Sequence, residues 1–194
     1  MSSRTQILES IKRNRPKGQF DAPHIPRFMV PEPEGRIGTF LKNLKAMGGV
    51  HLDGGESGNA LDAARSHLAR FSVVCSAVPE LAGNRELENV AEPRDLADVD
   101  VGVVRAVVGV AETGSVLFTE RQLKVNTLAY LAQHLLVLVD PKAIVSGLQD
   151  AYDREEFREV GYAVFHTGPS ATGDIEGVLI HGAQGVRSLS VVLV

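Results

Sequence analysis

The chain is poor in the residues that build disulfides, clusters and metal sites. Its 194 residues include one cysteine and no tryptophan. A single cysteine excludes an internal disulfide, and without a C-x-x-C pair the chain cannot ligate an iron–sulfur cluster by itself. Cys75 lies in an apolar stretch, which favours a buried, inert thiol. The six histidines form neither an H-x-x-H nor an H-E-x-x-H pattern, so we expect no metal site.

Long apolar runs and strong positive charge are also missing. No apolar run approaches the ~20 residues of a bilayer-spanning helix, and residues 1–15 lack the apolar core of a signal peptide. We therefore expect a cytoplasmic protein without a membrane span. The formal net charge is −4, which argues against nucleic acid as a main partner because such binding needs clustered Lys and Arg. The basic residues near the N-terminus are interpreted as a solvated helix end.

Apolar stretches alternate with helical patterns along most of the chain. This order predicts one α/β domain over residues 36–194, with a mainly parallel open sheet. Residues 1–35 instead predict a short helix, opened by a capping box from Ser3 to Gln6, and then an extended arm with five prolines. The expected strands are 50–52, 72–75, 101–111 (or a short helix), 116–118, 135–139, 162–165 and 189–194. The expected helices are 36–47, 57–70 with Ser57 as cap, 121–133 and a segment after Asp140.

The segment from His166 to Gly185 is rich in small and turn-forming residues, and reads HTGPSATGDIEGVLIHGAQG. Such a composition leaves backbone N–H groups pointing outward. Residues 173–176 predict the first turn of a helix, with Thr172 or Ser170 as its N-cap. Amides at a helix N-terminus suit an anionic ligand such as a carboxylate or phosphate. The alternative is a capped helix whose carboxylates only complement the helix dipole.

A second polar motif, Ala111 to Ser115, interrupts the apolar sequence upstream. Because ligands of open α/β sheets bind beyond the carboxyl ends of strands, we expect both motifs to line one crevice. Glu112 can act chemically there or merely cap a turn, and His181 can be catalytic or fix a turn through a hydrogen bond. The candidate catalytic residues are Glu112, Asp174 and His181. The candidate ligand-binding residues are Thr113, Gly114, Ser115, Gly168, Ser170, Thr172, Gly173, Glu176 and Gly182.

Both motifs resemble those of the LUD-domain family, named for lactate utilisation. The family pattern is close to S-G-P-S-x-T-A-D-I-E followed by a G-x-H-G-P turn, with A-E-T-G-S upstream, and the resemblance covers roughly residues 41–194. The chain is similar to the small C subunits of the L-lactate utilisation system. The resemblance implies an open sheet similar to the sugar-phosphate isomerase and coenzyme A transferase-like folds. It also implies a subunit that acts in oxidising L-lactate to pyruvate with iron–sulfur partner proteins, on a small carboxylate or other anionic ligand.

Several positions depart from the family pattern. Ala171 stands where relatives often carry Arg, Gly173 stands where they often carry Ala, and the turn after His181 lacks the usual Pro. The element from Glu112 to Gly114 also resembles the Glu-x-Gly of coenzyme A transferases, in which the Glu attacks a thioester. The alternative function is therefore a stand-alone enzyme or binding protein that acts on an acyl-coenzyme A or an anionic small molecule.

Overall fold

The computed structural model describes residues 2–18, 20–21, 23–54 and 58–194. Short strands and short helices alternate along the described chain. The strands are β1 (Val50–His51), β2 (Val74–Ser76), β3 (Val101–Arg105), β4 (Val108–Val110), β5 (Ser115–Thr119), β6 (His134–Val139), β7 (Ile144–Val145), β8 (Ala163–His166), β9 (Ala171–Thr172), β10 (Ile180–His181) and β11 (Ser188–Leu193). The helices are α1 (Ser3–Asn14), α2 (Gly35–Ala46), α3 (Ala60–Leu68), α4 (Glu120–Leu123), α5 (Leu128–Leu131), α6 (Leu148–Tyr152) and α7 (Glu155–Arg158), with 3-10 turns at Pro93–Leu96 and Pro141–Ala143. None of these helices combines the length and the apolar character that crossing a membrane requires.

A central sheet of five parallel strands, in the order β1-β11-β6-β3-β2, organises the domain. Both of its faces are buried. Leu135, Val137 and Val139 of β6 pack into one apolar cluster, whereas Leu136 and Leu138 pack into the other. Burial on both faces explains why the sequence of this strand is continuously apolar rather than alternating. The predicted α/β fold with a mainly parallel open sheet is confirmed.

A second sheet of four strands, in the order β7-β4-β5-β8, was not predicted. The apolar run 101–111, expected as one element, divides between the two sheets. The Ala106 amide donates to the Leu138 carbonyl in the central sheet, and the next amide, of Val107, donates to the Leu117 carbonyl in the second. The chain therefore crosses from one sheet to the other at this point. Strand β5 pairs antiparallel with β4 and with β8, so β5 lies inside the second sheet.

Two predicted helices differ in the structure. The long helix expected over 121–133 is wrong, because Lys124 has φ 61° and ends α4 before α5 begins. The Asp140 carboxylate does cap a turn by accepting from the Lys142 amide at 2.8 Å. That turn is a short 3-10 helix, and β7 pairs with β4 before α6 begins. Ser57 lies outside the described residues, and Asn59 caps α3 by accepting from the Leu61 amide.

The N-terminal arm is held to α6 by polar contacts. Its helix α1 is capped by Ser2, which accepts from the Thr5 amide, so the expected box at Ser3 is wrong by one residue. The described residues between 16 and 32 form neither helix nor strand. Arg27 donates to the carboxylates of two residues of the α6 segment, Asp150 and Asp153. The arm thus crosses the domain next to the first turn of α6.

Candidate functional site

Both polar motifs pack closely against the backbone at the C-terminal end of helix α2. Gly114 has φ +67°, and a Cβ at this position would overlap the backbone of Leu44. Gly168 has φ +69°, and a Cβ there would overlap the carbonyl of Met47. Only glycine combines this backbone conformation with such close approach. The two motif glycines therefore fix both loops against the C-terminal half of α2.

Glu112 holds the start of α6. Its side-chain Oε2 accepts from the Leu148 amide at 2.9 Å, and its own amide donates to the Ser146 carbonyl. From α2, Asn43 Nδ2 donates to the carbonyls of Ala111 at 2.8 Å and Glu112 at 3.1 Å. This geometry matches the turn-capping alternative for Glu112. A catalytic role for its exposed carboxylate stays a prediction.

Three hydroxyl groups join the two motifs. Thr113 Oγ1 lies 2.7 Å from Ser115 Oγ, which lies 2.5 Å from Thr167 Oγ1. The second sheet causes this meeting, because β5 pairs antiparallel with β8 with Val116 opposite His166. The residue before Val116 and the residue after His166 are therefore neighbours. Ser115 is only 2% exposed, whereas both threonines are half-buried, so this hydroxyl chain is buried at its centre and partly accessible at its ends.

Three adjacent cavities follow β8 and the loop after it. Glu112 and Asp174 line different cavities, and the smallest cavity lies between theirs because it shares wall residues with each. The Glu112 cavity, of about 420 Å³, is lined by Asn43, Ala46, Met47, Glu112, Thr113, Ser115, Leu148, Tyr152, Phe165 and Thr167. The His166 cavity, of about 240 Å³, is lined by Ala129, Tyr130, residues 164–170, Gln184, Gly185 and Val186. The Asp174 cavity, of about 470 Å³, is lined by Ser170, Ala171, Thr172, Asp174, Ile175, Ala183 and Gln184.

The helix expected at residues 173–176 is wrong. Ala171 and Thr172 form β9, which pairs antiparallel with His181 and Ile180 of β10. Because these pairs bring the chain ends together, the intervening residues close as a hairpin loop instead of a helix. The Asp174 amide donates to Thr172 Oγ1 at 3.2 Å within this loop. The anion-binding helix N-terminus predicted here is therefore absent from the described residues of this segment.

The other predicted residues of this segment divide between a fixed loop and an exposed hairpin. The Ser170 hydroxyl donates to the Gln184 carbonyl at 2.8 Å, and the Gly182 amide donates to the Ser170 carbonyl at 2.7 Å. These bonds hold the loop closed at the base of the hairpin. Gly173, Glu176 and His181 are exposed on the hairpin itself. Their roles in ligand binding or catalysis stay predictions.

His166 has the most unusual environment of the site, and sequence reasoning did not select it. Its ring lies between Phe118 and Tyr130, with centroid distances of 5.4 and 5.3 Å. Its buried Nε2 has no hydrogen-bond partner among the described residues. Burial lowers the pKa of His166 to about 4, so the imidazole is neutral at pH 7. Burial, followed by the hydrogen bond between the Tyr130 and Tyr162 hydroxyls, raises the pKa of Tyr130.

The one sequence signal for His166 is its position directly after an apolar strand and before Thr167-Gly168. Its aromatic neighbours come from distant parts of the chain and cannot be read from local sequence. Elsewhere, the part of the chain that the structure describes contains no cluster of three His, Cys, Asp or Glu residues able to hold a metal ion.

Comparisons with known proteins identify a family for this chain, but the names of the matching proteins give little functional detail. An uncharacterised protein of Neisseria meningitidis serogroup B is 25% identical over 130 residues, which is 66% of this chain and 55% of that protein. The chain thus spans about half the length of this curated relative. The crystal structure of a DUF162 family protein from Deinococcus radiodurans matches with a TM-score of 0.62 at 16% identity, covering 81% of this chain and 95% of that chain. At this identity the match shows the fold alone.

The LUD domain model matches residues 55–194. This range contains both polar motifs and His166, whereas α2, which anchors the motif glycines, precedes it. The match covers most of the chain. The chain therefore belongs to the LUD domain family, which is associated with lactate utilisation.

Proposed function

We propose that this chain is a subunit of a cytoplasmic L-lactate utilisation system, which oxidises L-lactate to pyruvate together with iron–sulfur partner proteins. Its membership of the LUD domain family carries this proposal. Oxidation of lactate removes two electrons, which need an acceptor. One cysteine cannot ligate a cluster, and the sequence has no G-x-G-x-x-G fingerprint of a dinucleotide site. In this proposal the electrons leave through the clusters of the partner chains.

Among the three cavities beside the two motifs, the His166 cavity is the best place for a small carboxylate. The Glu112 cavity and the Asp174 cavity each have a carboxylate in the wall, which repels an anion, whereas the wall of the His166 cavity has no Asp or Glu. Tyr130, Ser170 and Gln184 supply hydroxyl and amide groups there. The volume of about 240 Å³ equals that of roughly eight water molecules, which is enough for a ligand of lactate's size.

The unpartnered Nε2 of His166 supports a ligand that reaches it when the neighbouring rings shift, because the atom itself is closed off from the cavity. A buried polar atom without a hydrogen bond costs about 1–3 kcal/mol, so native proteins rarely keep one without a use. A neutral imidazole can donate through an N–H or accept through a bare nitrogen, depending on its tautomer. A 2-hydroxy acid offers partners for both, since its carboxylate accepts and its hydroxyl group donates.

A stand-alone enzyme that uses Glu112 on an acyl-coenzyme A is the alternative. The exposed Glu112 carboxylate borders a cavity of about 420 Å³, which gives a thioester room to approach. Its contact with the Leu148 amide favours a capping role instead. Incubation with acyl-coenzyme A donors, followed by trapping with hydroxylamine, distinguishes a catalytic role of Glu112 from a capping role. A Glu112 adduct supports the enzyme, and its absence across a donor panel removes it.

Purification from the native cell tests the proposed subunit role. The tagged chain should co-purify with proteins that contain iron–sulfur clusters, and the preparation should reduce an electron-accepting dye when L-lactate is added. D-lactate and L-malate serve as matched controls for the substrate. A preparation without iron–sulfur partners, from cells that grow normally on L-lactate after deletion of the gene, would contradict the proposal.

A further inference from the structure

Two groups of exposed apolar residues lie on short elements of the described part of the chain. The first is the α1 surface, formed by Ile7, Leu8 and Ile11, which are 59%, 43% and 60% exposed. The second is the hairpin surface, at the tip of the hairpin 171–181. Its apolar residues are Ile175, Val178 and Leu179, which are 49%, 59% and 62% exposed.

Neither surface belongs to an element that is stable alone. Helix α1 has 12 residues, none of them buried. Isolated helices shorter than ~12–15 residues are marginal in water, because most helical stability in proteins comes from packing of the apolar face. The hairpin is held by only two residue pairs between β9 and β10. An isolated two-stranded hairpin is likewise marginal. A covering partner would therefore stabilise both elements.

The charges of the two surfaces are opposite. Helix α1 contains three Lys and Arg side chains and one carboxylate, Glu9, which gives a net charge of +2. Residues 171–181 contain Asp174 and Glu176 and no Lys or Arg, which gives −2. On α1, Arg4 and Lys12 lie within four positions of Leu8, so positive charges flank the apolar stripe. Opposite charge around matched apolar patches favours association.

We propose that α1 of one copy covers the hairpin of a second copy, and that the exchange is reciprocal in a symmetric dimer. Within one copy, no hydrogen bond or ion pair among the described residues joins α1 to the hairpin, and α1 stays exposed. In a reciprocal exchange, each α1 surface covers one hairpin surface and none is left free. The assembly therefore stops at two copies, as it does at other twofold interfaces. The proposal does not depend on the ligand or on lactate utilisation, because it rests on exposure and charge alone.

Charge reversal in the full-length chain tests the contact. The α1 variant carries Arg4→Glu and Lys12→Glu, and the hairpin variant carries Asp174→Lys and Glu176→Lys. A control carries Lys142→Glu and Arg94→Glu, which reverse the same amount of charge at exposed positions elsewhere. The mass of each protein is measured by size-exclusion chromatography with light scattering over a range of concentrations. Circular dichroism checks that each variant is folded.

We expect the wild type and the control to be dimers and each variant alone to be a monomer. An equimolar mixture of the two variants should recover the dimer, because each reversed α1 or hairpin then meets an opposite charge on the other variant. A monomeric wild type at all concentrations would overturn the proposal. So would variants that stay dimeric alone, a mixture that stays monomeric, or a wild type that assembles only with a different protein.

Discussion

Replacing His166 by Phe should make the protein more stable while removing the proposed ligand site. The Phe ring keeps the contacts with Phe118 and Tyr130 and removes a buried Nε2 that has no partner. Relief of an unsatisfied buried polar atom is worth about 1–3 kcal/mol at pH 7. The adjoining cavity of about 240 Å³ gives the larger ring space. A substitution that raises the stability of a protein and removes ligand binding is typical of a functional position.

The same substitution should change how stability depends on pH. Burial lowers the pKa of His166 from 6.5 to about 4 in the native protein. Above pH 6.5 the imidazole is neutral in both states and contributes nothing. As the pH falls toward 4, the unfolded chain takes up the proton first, so the free energy of unfolding falls. The lowered pKa corresponds to about 3 kcal/mol lost between these limits, and His166→Phe should lack this loss.

Urea unfolding at pH 7 and at pH 5 measures both effects. His134→Phe is a matched control, because the His134 ring also packs on an aromatic residue but its Nδ1 lies 2.8 Å from the Ser188 hydroxyl oxygen. The control should lose about 1 kcal/mol at pH 7, because a hydrogen bond is removed. A destabilised His166→Phe at pH 7, or a pH dependence equal to that of the wild type, would refute this account of His166.

Three further substitutions test how α2 positions the motifs. Gly114→Ala should lower the free energy of unfolding by more than about 2 kcal/mol, because its Cβ would overlap α2. Gly173→Ala should change it by less than about 0.5 kcal/mol, because nothing lies within 4 Å of its Cβ. Asn43→Ala removes two hydrogen bonds to the Glu112 loop and should cost about 1–3 kcal/mol, measured by urea unfolding. Equal effects at Gly114 and Gly173, or a neutral Asn43→Ala, would contradict the packing of this loop on α2.

The central sheet could be predicted from the sequence because its strands are marked by local apolar runs. The unbroken apolar run of β6 predicts a buried strand, and the structure confirms it. The spacing of Ile37, Phe40, Leu41 and Leu44 predicts α2, which spans Gly35–Ala46. The helix expected over 121–133 failed because Lys124 adopts a positive φ that no sequence pattern signalled.

Only part of the candidate site could be predicted from the sequence, because contacts between distant strands bring its residues together. The sequence selected both motifs, and the structure brings them together at Ser115 and Thr167. The sequence did not show the second sheet, which causes this contact, or that Glu112 and Asp174 line different cavities. Nor did it select His166, because the environment of His166 depends on Phe118 and Tyr130, which only the fold brings to it.

Growth on L-lactate tests the central claim most directly. The gene is deleted, and the wild type, His166→Phe or the surface control Lys142→Gln is returned to the cell at matched protein levels. We predict that the deletion stops growth on L-lactate, that the wild type and Lys142→Gln restore it, and that His166→Phe does not. Full growth with His166→Phe, or normal growth of the deletion strain, would contradict the claim that the His166 cavity serves lactate utilisation.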